Sequence, residues 1–115
     1  MPVTLYHNPR CSKSRQALDL LRKRGVEPDV VLYLEDPPTK ARLKELLKLL
    51  GIGPRELLRR GEDAYKSLKL ADPGVSEAKL IEAMVENPIL IERPIAVAGK
   101  RAMVGRPPER VLEVL

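Results

Sequence analysis

The chain has 115 residues, with 21 lysines and arginines against 16 acidic residues and a formal net charge of +5. That length suits one domain around one core, and with no Phe, no Trp and three Tyr the core must be built from Leu, Val, Ile, Ala and Met. A single cysteine excludes an internal disulfide, and no apolar run approaches the roughly 20 residues of a membrane-spanning helix.

The positive balance invites a nucleic-acid partner, but its distribution speaks against one. Basic residues alternate with acidic ones, as in KARLKELLKLL and RRGEDAYKS, and side chains that could stack on bases are nearly absent. The opening MPVTLYHNPR lacks the cationic start and apolar stretch of a signal segment. The expectation is a soluble cytoplasmic protein, acting as a monomer, with neither a membrane nor a nucleic acid as partner.

Val3 to His7 is a run of β-formers closed by Asn8-Pro9 and predicts a first strand. From Ser12 the pattern becomes helical, with Ala17, Leu18 and Leu21 on one face and Gly25 as the stop. Asp29 to Leu34, a continuous apolar run, reads as a buried strand. Strand, helix and strand at this spacing imply a parallel pair with a right-handed crossover. Thr39 can cap a helix whose leucines at 43, 46, 47 and 50 share a face, closed by Gly51. Gly53-Pro54 starts a short helix through Arg59 or Arg60, stopped by Gly61. DAYKSLKL adds another turn or two, and Asp72-Pro73-Gly74 is a turn. Ser76 can cap a further helix with Leu80, Ile81, Met84 and Val85 inward, ending at Asn87-Pro88. Residues 38 to 87 thus form a helical insertion. IAVAG and RAMVG then predict a hairpin turning near Gly99-Lys100, and PPERVLEVL a last helix with proline in its first turn.

The only cysteine and the only histidine lie four residues apart in YHNPRCSKSR. A lone cysteine is most often a small buried hydrophobe and a lone histidine a structural side chain. The position of Cys11 changes that balance. It sits just before the first turn of a helix, where backbone N–H groups lack partners and a partial positive charge favours an anion. A thiolate is such an anion, and Arg10, Lys13 and Arg15 add cationic surroundings. One Cys and one His cannot supply the usual four ligands of a structural metal site within one chain. The order β-α-β, helices, β-β-α, with a cysteine at the first strand–helix junction, resembles a thioredoxin-like α/β fold with a mixed four-stranded sheet.

YHNPRCSKSR, LYLEDPP, ELLRRGEDAYKSL, ENPILIERPIAV and VGRPPE, taken in this order, resemble the glutaredoxin-linked arsenate reductases. The resemblance runs through nearly the whole chain and implies a single thioredoxin-like domain over residues 1–115. It also implies that Cys11 is the nucleophile toward arsenate, that Arg59, Arg93 and Arg106 hold the oxyanion, that His7 and Ser14 tune the thiolate, and that Pro94 is cis. Arg60 stands beside Arg59 as the alternative for that position. No tightly bound cofactor is implied; glutathione or another thiol is co-substrate, and glutaredoxin or a similar thiol reductant is the partner. The residue types suit the chemistry, because guanidiniums give a tetrahedral oxyanion paired donors and reduce its repulsion with an anionic sulfur. Two relatives of the family compete: a thiol-dependent reductase of another substrate, and a redox-responsive RNA-polymerase-binding regulator. The regulator's Cys-x-x-Cys pair is replaced here by Cys11-Ser12-Lys13-Ser14, so its resolving thiol is missing.

Overall fold

The computed structural model describes residues 2–115. Two compact units emerge, one from residues up to Asp36 together with Arg93–Leu115, the other from Pro37–Glu92.

The first unit is built on four strands, β1 (Thr4–His7), β2 (Asp29–Leu32), β3 (Ile95–Ala98) and β4 (Arg101–Val104), in the order β2-β1-β3-β4. β1 runs parallel to β2, and β3 is antiparallel to both β1 and β4. The crossover between the parallel strands is helix α1 (Ser12–Lys23). Its exit follows from Gly25, whose φ of 77° lies in the left-handed region that glycine enters without steric cost. The Gly25 N–H donates to the Arg22 carbonyl and the Val26 N–H to the Leu21 carbonyl, which satisfies the helix end and turns Val26 back against the core. Three residues later the Asp29 N–H meets the Val3 carbonyl and β2 begins.

Between sheet and helix lies a core without large aromatic rings: Leu5, Leu21, Val111 and Ala96 are fully enclosed, with Val3 and Ala98 beside them. Each enclosed leucine contributes about 1.5–3 kcal/mol by leaving water. The last element is a 3-10 helix, Pro108–Val114, rather than the α-helix its pattern suggested, and its Val111 and Val114 still reach this core. β2 departs from expectation more sharply. It ends at Leu32, and it is an edge strand whose Val30 and Leu32 are exposed, so a run of apolar β-formers there does not signal burial on both faces. Tyr33, in the turn beyond it, is the buried member of the run.

The second unit is helical: α2 (Lys40–Leu50), α3 (Pro54–Leu57), α4 (Asp63–Ser67) and α5 (Glu77–Glu86), followed by a 3-10 turn, Pro88–Leu90. Thr39 and Ser76 cap α2 and α5, accepting from the N–H groups of Arg42 and Lys79. Leu43, Leu46, Leu47, Leu80, Ile81 and Met84 are buried, while Leu50 and Val85 are only half-buried. α3 stops at Leu57 and does not continue to Arg59 or Arg60. Leu58 instead turns extended and forms an antiparallel bridge with Ile91. No helix among the described residues is long and apolar enough to cross a membrane.

Candidate active site

Topology gathers the site at one end of the sheet. β1 ends at His7 and hands the chain to α1 through residues 8–11. β3 opposes β1 with Ile95 beside Tyr6, so Arg93, two residues before Ile95, arrives at the same end. β4 opposes β3 with Val104 beside Ile95, which returns Arg106 there from the other side of the chain. Three residues separated by up to 95 positions meet because strands of opposite direction begin and end together.

The loop from β1 is fixed mainly by Asn8, which is buried. Its carbonyl accepts the Cys11 N–H at 3.0 Å, its side-chain oxygen accepts the Arg10 N–H at 3.0 Å, and its own N–H donates to Ser14 Oγ at 3.1 Å. Arg15 closes the turn by donating to the Pro9 carbonyl at 2.8 Å. Asn8 is the residue that sequence reasoning passed over; its signal was the Asn-Pro pair, read only as a strand stop.

Ser14 is fully buried, and its Oγ lies 2.6 Å from His7 Nδ1. Burial, with the Arg22 and Arg15 charges adding to it, lowers the His7 pKa and favours the neutral ring. The Asn8 N–H donates to the same Ser14 oxygen, so this one hydroxyl links the end of β1 to the first turn of α1. The pair braces the first turn of α1 from beneath.

Cys11 is the N-cap of α1, half-buried, with no capping hydrogen bond from its side chain. Burial alone would push its thiol pKa up. The N–H groups of Ser14 and Lys13, together with the hydrogen bond and charge of Arg93, outweigh that and bring it below the ordinary value. Arg106 completes the surroundings: its Nε donates to the Arg93 carbonyl at 2.9 Å and its Nη2 reaches Cys11 Sγ at 3.7 Å. Two arginines therefore flank the sulfur, one buried and one half-buried. Each precedes a cis proline: Arg93–Pro94, and also Arg106–Pro107, which sequence reading did not single out.

Gly105 lets these two segments approach. Its N–H donates to the Pro94 carbonyl at 2.8 Å, and a Cβ placed on it would lie 2.7 Å from Pro94 Cγ and 2.8 Å from Val111 Cγ1. Gly105→Ala is accordingly expected to cost about 1–3 kcal/mol of stability through overpacking and to displace Arg106 next to it. Denaturant unfolding and kcat/KM measured together would both fall. A variant with native stability and rate would show that the neighbours yield freely.

Arg59 belongs to the helical unit, where it is held by two carboxylates. Its Nε donates to Glu62 at 3.0 Å and its Nη1 to Glu92 at 2.6 Å. Burial works against its charge, and the two glutamates more than compensate, so it is held still more firmly protonated than an ordinary arginine. Arg60 is exposed. Among the described residues no cluster of three or more His, Cys, Asp or Glu could hold a metal ion.

A cysteine before a helix N-terminus, with guanidiniums at its sulfur, is a setting that favours the thiolate over the thiol. The ArsC family model matches residues 6–114, and the chain belongs to that family. It is 60% identical over 114 residues to the uncharacterised protein YfgD of Escherichia coli K12, covering 98% of this chain and 96% of that protein. It is 46% identical over 116 residues to an arsenate reductase of Haemophilus influenzae, spanning all of both chains. The solved structure of an arsenate reductase from Vibrio cholerae superposes with a TM-score of 0.97 at 49% identity, covering 100% of this chain and 98% of that one. The fold is thioredoxin-like.

Proposed function

We propose that this chain reduces arsenate to arsenite, using Cys11 as nucleophile and an external thiol as reductant. The observation that supports this most is the Cys11 sulfur at the start of α1 with Arg106 Nη2 at 3.7 Å and Arg93 lowering its pKa. Arg93 and Arg106 would hold the tetrahedral dianion by paired hydrogen bonds and reduce its repulsion with the thiolate. Arg59 is proposed as a third oxyanion ligand, the role its sequence match implies. His7 and Ser14 act one step back, by fixing the helix turn whose N–H groups face the sulfur.

Cys11 Sγ attacks arsenic, an oxygen leaves as water, and an S–As bond forms. A second thiol then attacks Sγ; the S–As bond breaks with its electron pair going to arsenic, which leaves as arsenite. A mixed disulfide remains on Cys11. The two electrons come from two sulfurs, and the chain has only one cysteine, so the second must come from outside. Glutathione is the proposed donor, with a glutaredoxin-like protein regenerating the thiolate, in a cytoplasmic setting where such thiols stay reduced.

Intact-mass measurement after incubation with arsenate and glutathione should show a glutathione adduct on Cys11, removed by glutaredoxin. Sustained turnover without any added thiol would sink this mechanism.

A further inference from the structure

We propose that the cleft where β1 and β2 end holds the thiol that resolves Cys11, a zwitterionic peptide thiol of the glutathione kind. This rests on an external thiol completing the reaction at Cys11.

Strand order divides the surroundings of the sulfur. In the sheet order β2-β1-β3-β4, Cys11 follows β1, Arg93 precedes β3 and Arg106 follows β4, so both guanidiniums reach the sulfur from the β3 and β4 side. The other side of β1 is taken by β2. There the chain leaves a cleft of about 250 Å³, lined by the buried His7 and Asn8 and by Arg10, Leu32, Leu34 and Glu35. It lies close to the nucleophile. The Cys11 N–H donates to the Asn8 carbonyl, closing a turn whose end Cα atoms are within roughly 7 Å of each other.

The resolving step is a displacement at sulfur, and such a displacement runs in line. The thiolate approaches Sγ opposite the S–As bond. The S–S bond forms as S–As breaks, arsenic takes the electron pair, and the thiol's proton ends on an oxygen of the departing arsenite. An oxyanion held by Arg93 and Arg106 on one side leaves the β2 side for the attacking thiol.

The lining of the cleft selects the kind of thiol. Leu32 and Leu34 are large apolar side chains left exposed, at 37% and 39%, and a ligand lying on them would take apolar surface out of water. One cation and one anion accompany them, Arg10 and Glu35. Both are exposed, and neither side chain forms a hydrogen bond or ion pair with another described residue. A tripeptide spans roughly 10 Å when extended. Glutathione carries its thiol in the middle, a carboxylate at its glycyl end and an ammonium at its γ-glutamyl end. Arg10 is assigned the glycyl carboxylate and Glu35 the ammonium, two contacts that a neutral dithiol cannot make.

Titrating isotope-labelled Cys11→Ser protein with S-methylglutathione, which cannot form a disulfide, should shift the amide signals of Asn8, Arg10, Leu32, Leu34 and Glu35. The hairpin at Gly99-Lys100 should stay unmoved. No shifts at millimolar ligand, or shifts confined to other residues, would overturn the site. In turnover, Arg10→Gln and Glu35→Gln should each lower the ratio of kcat/KM for glutathione to that for dithiothreitol by roughly five- to tenfold. With γ-glutamylcysteine, which lacks the glycyl carboxylate, the Arg10→Gln loss should shrink and the Glu35→Gln loss should persist. Unchanged ratios in both variants would overturn the assignment even if arsenate is reduced with glutathione. A protein that binds S-methylglutathione at these residues and reduces no arsenate would instead overturn arsenate as substrate and uphold the cleft.

Discussion

Cys11→Ser is expected to abolish arsenate reduction, by on the order of 10³-fold or more, while leaving the fold intact. Serine is nearly isosteric, but its hydroxyl does not ionise in this range and cannot form the sulfur–arsenic bond. The same variant separates the cost of the chemistry from that of the fold. Cys11 occupies an N-cap position without making a capping hydrogen bond, where serine is among the preferred residues. At a pH where the thiol is protonated, the variant should therefore be as stable as the parent or more so, by up to about 1 kcal/mol. The parent should catch up as pH rises. Its folded-state thiol pKa is depressed, so between that value and the unfolded value near 8.5 the unfolded chain binds more protons and stability increases with pH. That contribution is complete above the unfolded value and is lost as pH falls through the folded one. Thermal melts of both proteins across the neutral to mildly alkaline range, with thiolate absorbance followed in parallel, would check this. A thiol that titrates like a free cysteine, with parallel stability curves, would remove the activation argument.

Arg106→Ala should reduce kcat/KM by roughly 10²- to 10³-fold, the range found when one preorganised donor to a developing anion is removed. This side chain does two things at once, holding the Arg93 carbonyl through Nε and the sulfur through Nη2. Lysine has a single point of charge and cannot make both contacts, so Arg106→Lys should recover only a part. Arg93→Ala should be comparably damaging and should in addition raise the Cys11 pKa, because Arg93 is among the groups that lower it. Arg22 and Arg110 supply the comparison. Both are exposed and paired with Glu27 and Glu113 on the surface, and replacing either with Ala should change the rate little. Equal, mild losses at all four positions would mean that general positive charge, and not a fixed pair of forks, serves the substrate.

Much of this molecule follows from local rules that act within a few residues. Caps at Thr39 and Ser76, the left-handed exit at Gly25, the two-residue hairpin turn and the leucine faces of α2 and α5 depend on backbone sterics and periodicity, and these are legible in one dimension. The placement of Cys11 before a helix end is local in the same sense, so thiolate chemistry is legible in the sequence alone. The burial of β2 is not. Whether an apolar strand lies at an edge is decided by which other strands pair with it, and Val30 and Leu32 carry no mark of that. The end of α3 departs from its sequence pattern for a related reason, since Leu58 leaves the helix to bridge Ile91, more than thirty positions away.

By itself the sequence determined the order of elements, a cysteine where a helix leaves donors unmet, and the dependence of any two-electron reduction on a second, external thiol. Beyond the resemblance, it marks Arg93 and Arg106 only by a following proline and a place beside a predicted hairpin strand, because in a chain with 21 basic residues no single arginine stands out by itself. Tertiary structure decided which of them reach the sulfur. The antiparallel register of β3 with β1 and of β4 with β3 brings strand ends from distant parts of the chain to one edge, and the bare Cα of Gly105 lets the two arginine segments close on each other. It also decided the roles of Asn8, which organises the nucleophile's loop, and of Glu62 and Glu92, which grip Arg59. Hydrogen bonds and ion pairs depend on atoms meeting within about 3 Å, a condition fixed by how the chain folds back on itself and not by how its residues are spaced along it.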